Sequence, residues 1–133
     1  MTVVDTSVAV AAFASWHEQH GAALRAVSQG TRLVGQVALE TYAVLTRLPP
    51  PHRAPAALVV EFLAGNFVQP TLALPPREQG KLLATCSEAH IVGGAVYDAV
   101  VAATSIHAGT TLVTLDRRAL PTYEALGADV RLL

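Results

Sequence analysis

The stretch Thr2-Val3-Val4-Asp5-Thr6-Ser7 places a short β-branched run directly before an acid and two hydroxyl residues. The β-branched run predicts a short buried strand. The three polar residues are types that favour helix N-caps, and the apolar segment 8–14 after them predicts a helix. Strand, acid and helix therefore follow one another within a few residues.

The same alternation continues along the chain. Further strands are predicted at residues 31–34, 67–69, 110–115 and 130–132, and further helices at 17–28, 37–48, 54–65, 76–90, 96–107 and 120–126. Strands separated by helices favour a parallel sheet covered by helices on both faces. We therefore predict an α/β fold in a single domain spanning residues 1–133, with a central parallel sheet of about five strands.

Composition sets the class of protein. A chain of 133 residues with 52% hydrophobic and 14% charged residues can bury a substantial core. Its longest apolar stretch, residues 91–103, is interrupted by Asp98 before it could span a bilayer, and no basic segment precedes Val3. A lone Cys86 allows no internal disulfide and no cysteine zinc site. We predict a cytoplasmic protein with no membrane segment.

Four acids lie in or beside apolar segments, where exposure to solvent does not account for a charged side chain: Asp5, Glu40, Asp98 and Asp116. Asp5 and Asp116 each follow a predicted strand, whereas Glu40 and Asp98 fall in early turns of predicted helices. In a parallel sheet, the carboxyl ends of the strands and the first turns of the following helices meet at one edge, where ligands bind. We expect all four acids to reach one cleft.

The chemistry of such a cleft depends on whether the acids converge. A single acid at a helix start is ordinarily a cap or a partner of the helix dipole. Several carboxylates together raise one another's pKa unless a cation keeps them ionised, and an all-oxygen site suits Mg²⁺ or Mn²⁺. The hydroxyls of Thr6, Ser7 and Thr114 either complete the surroundings of such a site or serve as caps and strand residues. A metal held there suits hydrolysis of a phosphodiester.

The basic residues allow two interpretations. The net charge is −1, so no global positive field attracts nucleic acid, but eight of the nine basic residues are arginines. Arg117 and Arg118 directly follow Asp116, and a guanidinium grips phosphate in a planar fork. The pair is predicted either to contact a phosphate beside the metal or to lie on a solvated turn.

The ordered acids and their flanking residues carry a resemblance. The sequence Val3-Val4-Asp5-Thr6-Ser7, the acid Glu40 in an apolar helix, the run from Tyr97-Asp98 to Ala103, and Leu112-Val113-Thr114-Leu115-Asp116 together resemble the PIN-domain ribonucleases, and more narrowly the VapC-type toxins. The resemblance covers nearly the whole chain. It implies a three-layer α/β/α domain and a Mg²⁺- or Mn²⁺-dependent endoribonuclease. It also implies the toxin of a type II toxin–antitoxin pair, with RNA as substrate, a VapB-type antitoxin as partner and a homodimeric state.

The resemblance also assigns roles to residues of this chain. It implies that Asp5, Glu40, Asp98 and Asp116 bind the metal and act in catalysis, with Thr6 and Thr114 as polar neighbours. A metal-activated water would attack the phosphate and leave a 5′-phosphate and a 3′-hydroxyl. Some members of the family carry a further acid two residues after the fourth, where this chain has Arg118, which argues against a second metal held entirely by protein.

Two rival hypotheses remain at this point. In the first, the fold is kept without catalysis, and the acids attract a basic partner peptide in a catalytically inactive, PIN-like protein-binding module. In the second, Asp5 forms an aspartyl phosphate in a magnesium-dependent phosphatase. Such phosphatases typically carry another Asp two residues later and a lysine in the site, whereas this chain has Ser7 at that position and a single lysine, Lys81.

Overall fold

The computed structural model describes residues 1–28 and 30–133. Within these residues, three strands and seven helices follow one another in the order β1 (Thr2–Val4), α1 (Thr6–Phe13), α2 (His20–Val27), α3 (Gly35–Arg47), α4 (Ala56–Asn66), α5 (Pro76–Glu88), α6 (Ala95–Ala108), β2 (Thr111–Thr114), α7 (Leu120–Ala125) and β3 (Val130–Leu132). The predicted alternation of strands and helices is confirmed.

The sheet is parallel throughout. Strand β1 pairs with β2 in the register Val3↔Leu112, and β2 pairs with β3 in the register Val113↔Arg131. Two isolated parallel bridges, Val3↔Arg32 and Val34↔Leu72, extend the sheet on the other side of β1. About five strands were predicted, whereas the structure has three regular strands, and residues 32, 34 and 72 pair only in isolated bridges.

One predicted strand is wrong. Residues 67–69 form no strand, and Phe67 instead caps α4 by donating its backbone N–H to the Leu63 carbonyl at 3.1 Å. Pro70 has no N–H for a ladder, and the chain pairs only beyond it. There Leu72 donates to the Leu33 carbonyl at 2.8 Å and accepts from the Gly35 N–H at 2.8 Å.

Both faces of the sheet are covered. Successive strand residues point to opposite faces, and Val3, Val4, Leu112 and Val113 are all fully buried. These four residues belong to the largest core cluster, which also includes Val8, Ala9 and Ala11 of α1. Burial on both faces explains why the two central strands carry almost continuous apolar runs instead of alternating ones.

The strand order places a switch point beside β1. From β1 the chain goes first to the Arg32 side of the sheet, and it later returns to pair with β1 from the opposite side as β2. In open parallel sheets, a crevice opens at the carboxyl ends of the strands where the order reverses in this way. Asp5 directly follows β1, and Asp116 lies two residues beyond the end of β2.

Candidate functional site

Asp5 is the most enclosed of the four acids. It is 4% exposed, and its backbone N–H donates to the Val113 carbonyl at 3.1 Å. Its Oδ1 accepts from the Val8 N–H at 3.3 Å, which caps α1, and from the Ser7 hydroxyl. Its Oδ2 accepts from the Thr114 hydroxyl and from the Tyr123 hydroxyl, the latter at 2.8 Å. A carboxylate offers about four acceptor positions, so these donors hold Asp5 in one orientation.

Two of those hydroxyls also accept hydrogen bonds. Ser7 Oγ accepts from the Leu115 N–H at 2.9 Å, and Thr114 Oγ1 accepts from the Asp116 N–H at 2.9 Å. Each hydroxyl therefore joins the Asp5 carboxylate to the backbone just beyond β2. This network fixes the backbone of Asp116 relative to the side chain of Asp5.

Glu40 lies in the second turn of α3, half-buried. Its Oε2 accepts from the Thr6 hydroxyl at 3.0 Å, and its Oε1 accepts from the Gln36 amide at 2.7 Å. Thr6 begins α1, so this contact ties the two helices together across the site. Glu40 follows the fully buried Val37 by three residues, which turns it towards the protein as the helical spacing predicts.

Asp98 and Asp116 are less restrained. Asp98 is in the first turn of α6, and no described residue donates a hydrogen bond to its side chain. Asp116 Oδ1 accepts from the Arg118 N–H at 2.9 Å, and the Arg118 guanidinium lies 3.6 Å from the same oxygen. Because that guanidinium is almost fully exposed, the ion pair contributes little to stability.

All four acids line one cavity of about 600 Å³ at the carboxyl edge of the sheet. The other polar residues lining it are Thr6, Ser7, His17, Gln19, Arg117, Arg118 and Tyr123. Thr114 is fully buried and does not line this cavity, but its hydroxyl contacts Asp5 and Asp116, which do. The tertiary structure thus joins acids that are up to 111 residues apart in the sequence, since Asp5 and Asp116 line the same cavity.

The electrostatics of the cavity are dominated by burial and mutual repulsion. Burial raises the pKa of Asp5, and the hydrogen bonds from Ser7, Thr114, Tyr123 and the Val8 N–H oppose that effect. Burial, followed by the negative charges of Glu40, Asp116 and Asp5, raises the pKa of Asp98 to about 6. The cavity therefore favours any cation that can reach the carboxylates.

The donors fit a hard divalent cation, although they do not form a closed cage. Among residues 1–28 and 30–133, no three His, Cys, Asp or Glu side chains are grouped closely enough to hold one ion. Mg²⁺ usually keeps several waters and takes only one or two protein carboxylates. The oxygen donors that line this open cavity include Asp98, whose side chain accepts from no described donor, and they match that preference.

Comparisons with known proteins identify the family of this chain. A family model described as the PIN domain matches residues 2–125. The chain belongs to the PIN-domain family. It is 47% identical over 133 residues to Ribonuclease VapC40 of Mycobacterium tuberculosis, covering 100% of this chain and 99% of that protein. It is 38% identical over 128 residues to Ribonuclease VapC27 of the same species, covering 96% and 93%.

Two solved structures share the PIN fold. The crystal structure of FitAcB from Neisseria gonorrhoeae aligns with a TM-score of 0.71 at 17% identity, covering 98% of this chain and 96% of that one. The crystal structure of PAE2754 from Pyrobaculum aerophilum aligns with a TM-score of 0.63 at 23% identity, covering 98% and 92%. These matches confirm the predicted α/β fold class.

The residues of the phosphatase hypothesis do not assemble in this PIN domain. Lys81 lies on α5, where its ammonium is 3.4 Å from Glu78, and it lines a different cavity from the acids. Ser7 donates to Asp5 instead of supplying a second carboxylate. Among the described residues, the cavity therefore lacks both the lysine and the acid two residues after Asp5 that the phosphatase hypothesis requires.

Two residues of the site were not predicted from the sequence. Gln36 holds Glu40 from one helical turn earlier, and Tyr123 reaches Asp5 from α7. The sequence around Tyr123 is that of an ordinary core residue of the last helix. The one indication that Tyr123 could contact a polar group was its hydroxyl, because a buried tyrosine hydroxyl usually needs a hydrogen-bond partner.

Proposed function

We propose that residues 1–133 form a single PIN-like domain that acts as a metal-dependent endoribonuclease and is the toxin of a type II toxin–antitoxin system. The observation that carries the proposal is the convergence of Asp5, Glu40, Asp98 and Asp116 on one cavity at the switch point of the sheet. The names of VapC40 and VapC27, both ribonucleases, support RNA as the substrate.

Mg²⁺ or Mn²⁺ is the proposed cofactor. Asp98 would be a direct ligand, since its oxygens accept from no described donor. Glu40 and Asp116 each retain acceptor capacity beside their observed partners and would reach the cation directly or through its waters. Asp5 lines the same cavity, and it would share with the cation an oxygen that already accepts from a protein donor. When bound, the cation would polarise a phosphoryl oxygen and lower the pKa of a water.

The protein residues supply orientation and charge. The acids would hold the attacking water and accept its proton, and the hydroxyls of Thr6 and Thr114 would keep Glu40 and Asp5 in place. Arg117 and Arg118 are exposed at the rim of the same cavity, where their guanidinium groups could contact RNA phosphates. This arrangement offsets the repulsion between an acidic cavity and an anionic substrate.

The proposed partners are a VapB-type antitoxin and a second copy of the chain, in the cytoplasm. On α4, Val59 is fully buried, but Leu58 and Val60 are 50% and 56% exposed, so part of the apolar surface of this helix is available for contact. In the part of the chain that the structure describes, none of the helices combines the length and the hydropathy needed to cross a bilayer.

The deciding experiment is cleavage of total cellular RNA by the purified protein. The conditions are Mg²⁺, Mn²⁺, EDTA, and Mg²⁺ with Asp98→Asn in place of the native chain. Asp129→Asn is the matched control, because Asp129 is an exposed acid bonded to Thr111, outside the cavity. We expect cutting by the native chain and by the control only when a divalent cation is present.

The alternative is the catalytically inactive, PIN-like binding module. It predicts that folded protein with bound metal cuts no RNA and that Asp98→Asn leaves partner binding intact. Replacing Asp5, Glu40, Asp98 and Asp116 together with alanine must abolish any RNA cleavage, and cleavage that persisted would refute the proposed function.

A further inference from the structure

Tyr123 is the only residue of α7 that hydrogen-bonds to the Asp5 carboxylate, among the residues that the structure describes. Its side chain is 1% exposed, and its hydroxyl donates to Asp5 Oδ2 at 2.8 Å. The two residues are 118 positions apart in the sequence. The hydrogen bond therefore exists only because α7 packs back against α6 and β3.

The Tyr123 hydroxyl is not needed to fill the core. The ring belongs to the largest core cluster, and a phenylalanine ring would fill the same space. The hydroxyl is held by a carboxylate, and hydrogen bonds to ionised acceptors are about twice as strong as those between neutral groups. A tyrosine hydroxyl ordinarily has a pKa of about 10, so it keeps its proton and remains a donor at neutral pH.

The Tyr123 hydroxyl contacts the carboxylate oxygen that has fewer other donors. Ser7 and the Val8 N–H hold Oδ1 from the start of α1, whereas Oδ2 is held by Thr114 and Tyr123. Without Tyr123, a single hydroxyl would hold Oδ2, and three donors instead of four would oppose rotation of the carboxylate about its Cβ–Cγ bond. Both Asp5 and Tyr123 line the acidic cavity, so such a rotation would change the oxygen presented there.

We propose that Tyr123 is a positioning residue that fixes the orientation of the Asp5 carboxylate for cation binding in the cavity. This inference rests on the proposed function, because it assigns Tyr123 a role in the proposed metal site. Groups that orient metal ligands in this way typically change metal affinity or activity about 10- to 100-fold when they are removed. The same order of effect is expected here.

The test is Tyr123→Phe, with Tyr42→Phe as the matched control. Tyr42 is 41% exposed on α3 and does not line the cavity. Mn²⁺ affinity is measured by isothermal titration calorimetry, and folding is checked by thermal unfolding in EDTA. We expect Tyr123→Phe to weaken Mn²⁺ binding about tenfold, with cleavage partly restored by excess Mn²⁺, while Tyr42→Phe binds like the native chain.

A second measurement covers the case in which Tyr123→Phe does not fold. The native chain has three tyrosines, so ¹³C labelling of the ring carbon that bears the hydroxyl gives three resolvable signals. During a Mg²⁺ titration, the Tyr123 signal should shift with the midpoint of metal binding, and the Tyr42 signal should stay fixed. A Tyr123 signal that ignores bound Mg²⁺ would overturn the proposal.

The outcomes separate this inference from the proposed function. If the native chain cuts RNA, Asp98→Asn does not, and folded Tyr123→Phe binds Mn²⁺ within twofold of the native chain, only the role of Tyr123 is refuted. If the native chain binds Mn²⁺ but cuts no RNA, the proposed ribonuclease activity is refuted. The Mn²⁺ affinity of Tyr123→Phe then still decides whether Tyr123 orients Asp5.

Discussion

Replacing Asp98 with asparagine should stabilise the metal-free protein while it abolishes RNA cleavage. Burial and three neighbouring acids raise the pKa of Asp98 from 3.8 to about 6. At about 1.4 kcal/mol for each pKa unit, that difference corresponds to roughly 3 kcal/mol. The side chain is only half-buried, so solvent screening reduces the expected gain in the free energy of unfolding to about 1 kcal/mol.

The sign of this effect depends on pH. In the unfolded chain, Asp98 loses its proton near its ordinary pKa of 3.8, whereas in the folded protein it keeps the proton to about pH 6. Between these values the folded state binds more protons, so stability falls as pH rises through the window. The advantage of asparagine should be near zero at pH 3.5 and complete above about pH 6.

Thermal unfolding in EDTA at several pH values is the assay. A gain of about 1 kcal/mol should raise Tm by roughly 4 °C at pH 7.5 for a domain of this size. Asp129→Asn, at an exposed acid outside the cavity, should not reproduce this rise. Mg²⁺ should then raise the Tm of the native chain more than that of Asp98→Asn. If Asp98→Asn is less stable than the native chain in EDTA at pH 7.5, the electrostatic reasoning is refuted.

Three further predictions concern the core and the cavity rim. Thr41 on α3 is fully buried, and its hydroxyl has no hydrogen-bond partner among the described residues, so Thr41→Val should raise the free energy of unfolding by about 1 kcal/mol in urea titrations. A decrease would reveal a partner for that hydroxyl. Leu112 in β2 is also fully buried, so Leu112→Ala should cost about 3 kcal/mol, whereas truncating the half-exposed Leu58 should cost far less. Equal costs would contradict the assigned core. Replacing Arg117 and Arg118 together with alanine should weaken RNA binding to the catalytically inactive Asp98→Asn protein. The slope of log binding constant against log salt concentration should fall in magnitude by about one for each phosphate that is no longer bound. An unchanged slope would leave the two arginines as surface residues.

Much of the fold followed from local sequence. The β-branched runs predicted β1 and β2. Gly109, in the left-handed conformation at φ 66°, ends α6 as glycine commonly does at a helix C-terminus. The strand predicted at residues 67–69 is wrong for the same reason, because only local sequence supports it. Phe67 and Val68 have strand propensity, but the pairing of Leu72 with Val34 depends on a segment far away in the sequence.

The sequence by itself determined the identity and order of the four acids and the elements that carry them, because capping preference, propensity and apolar spacing act over a few residues. Only the tertiary structure decided how these acids are held. The Tyr123 hydroxyl on Asp5, the Thr114 hydroxyl joining Asp5 to Asp116, and the absence of any described donor on Asp98 all depend on the packing of distant segments. The orientation and the pKa of each acid depend on its burial and its contacts. Neither property produces a periodic pattern in the sequence from which it could be predicted.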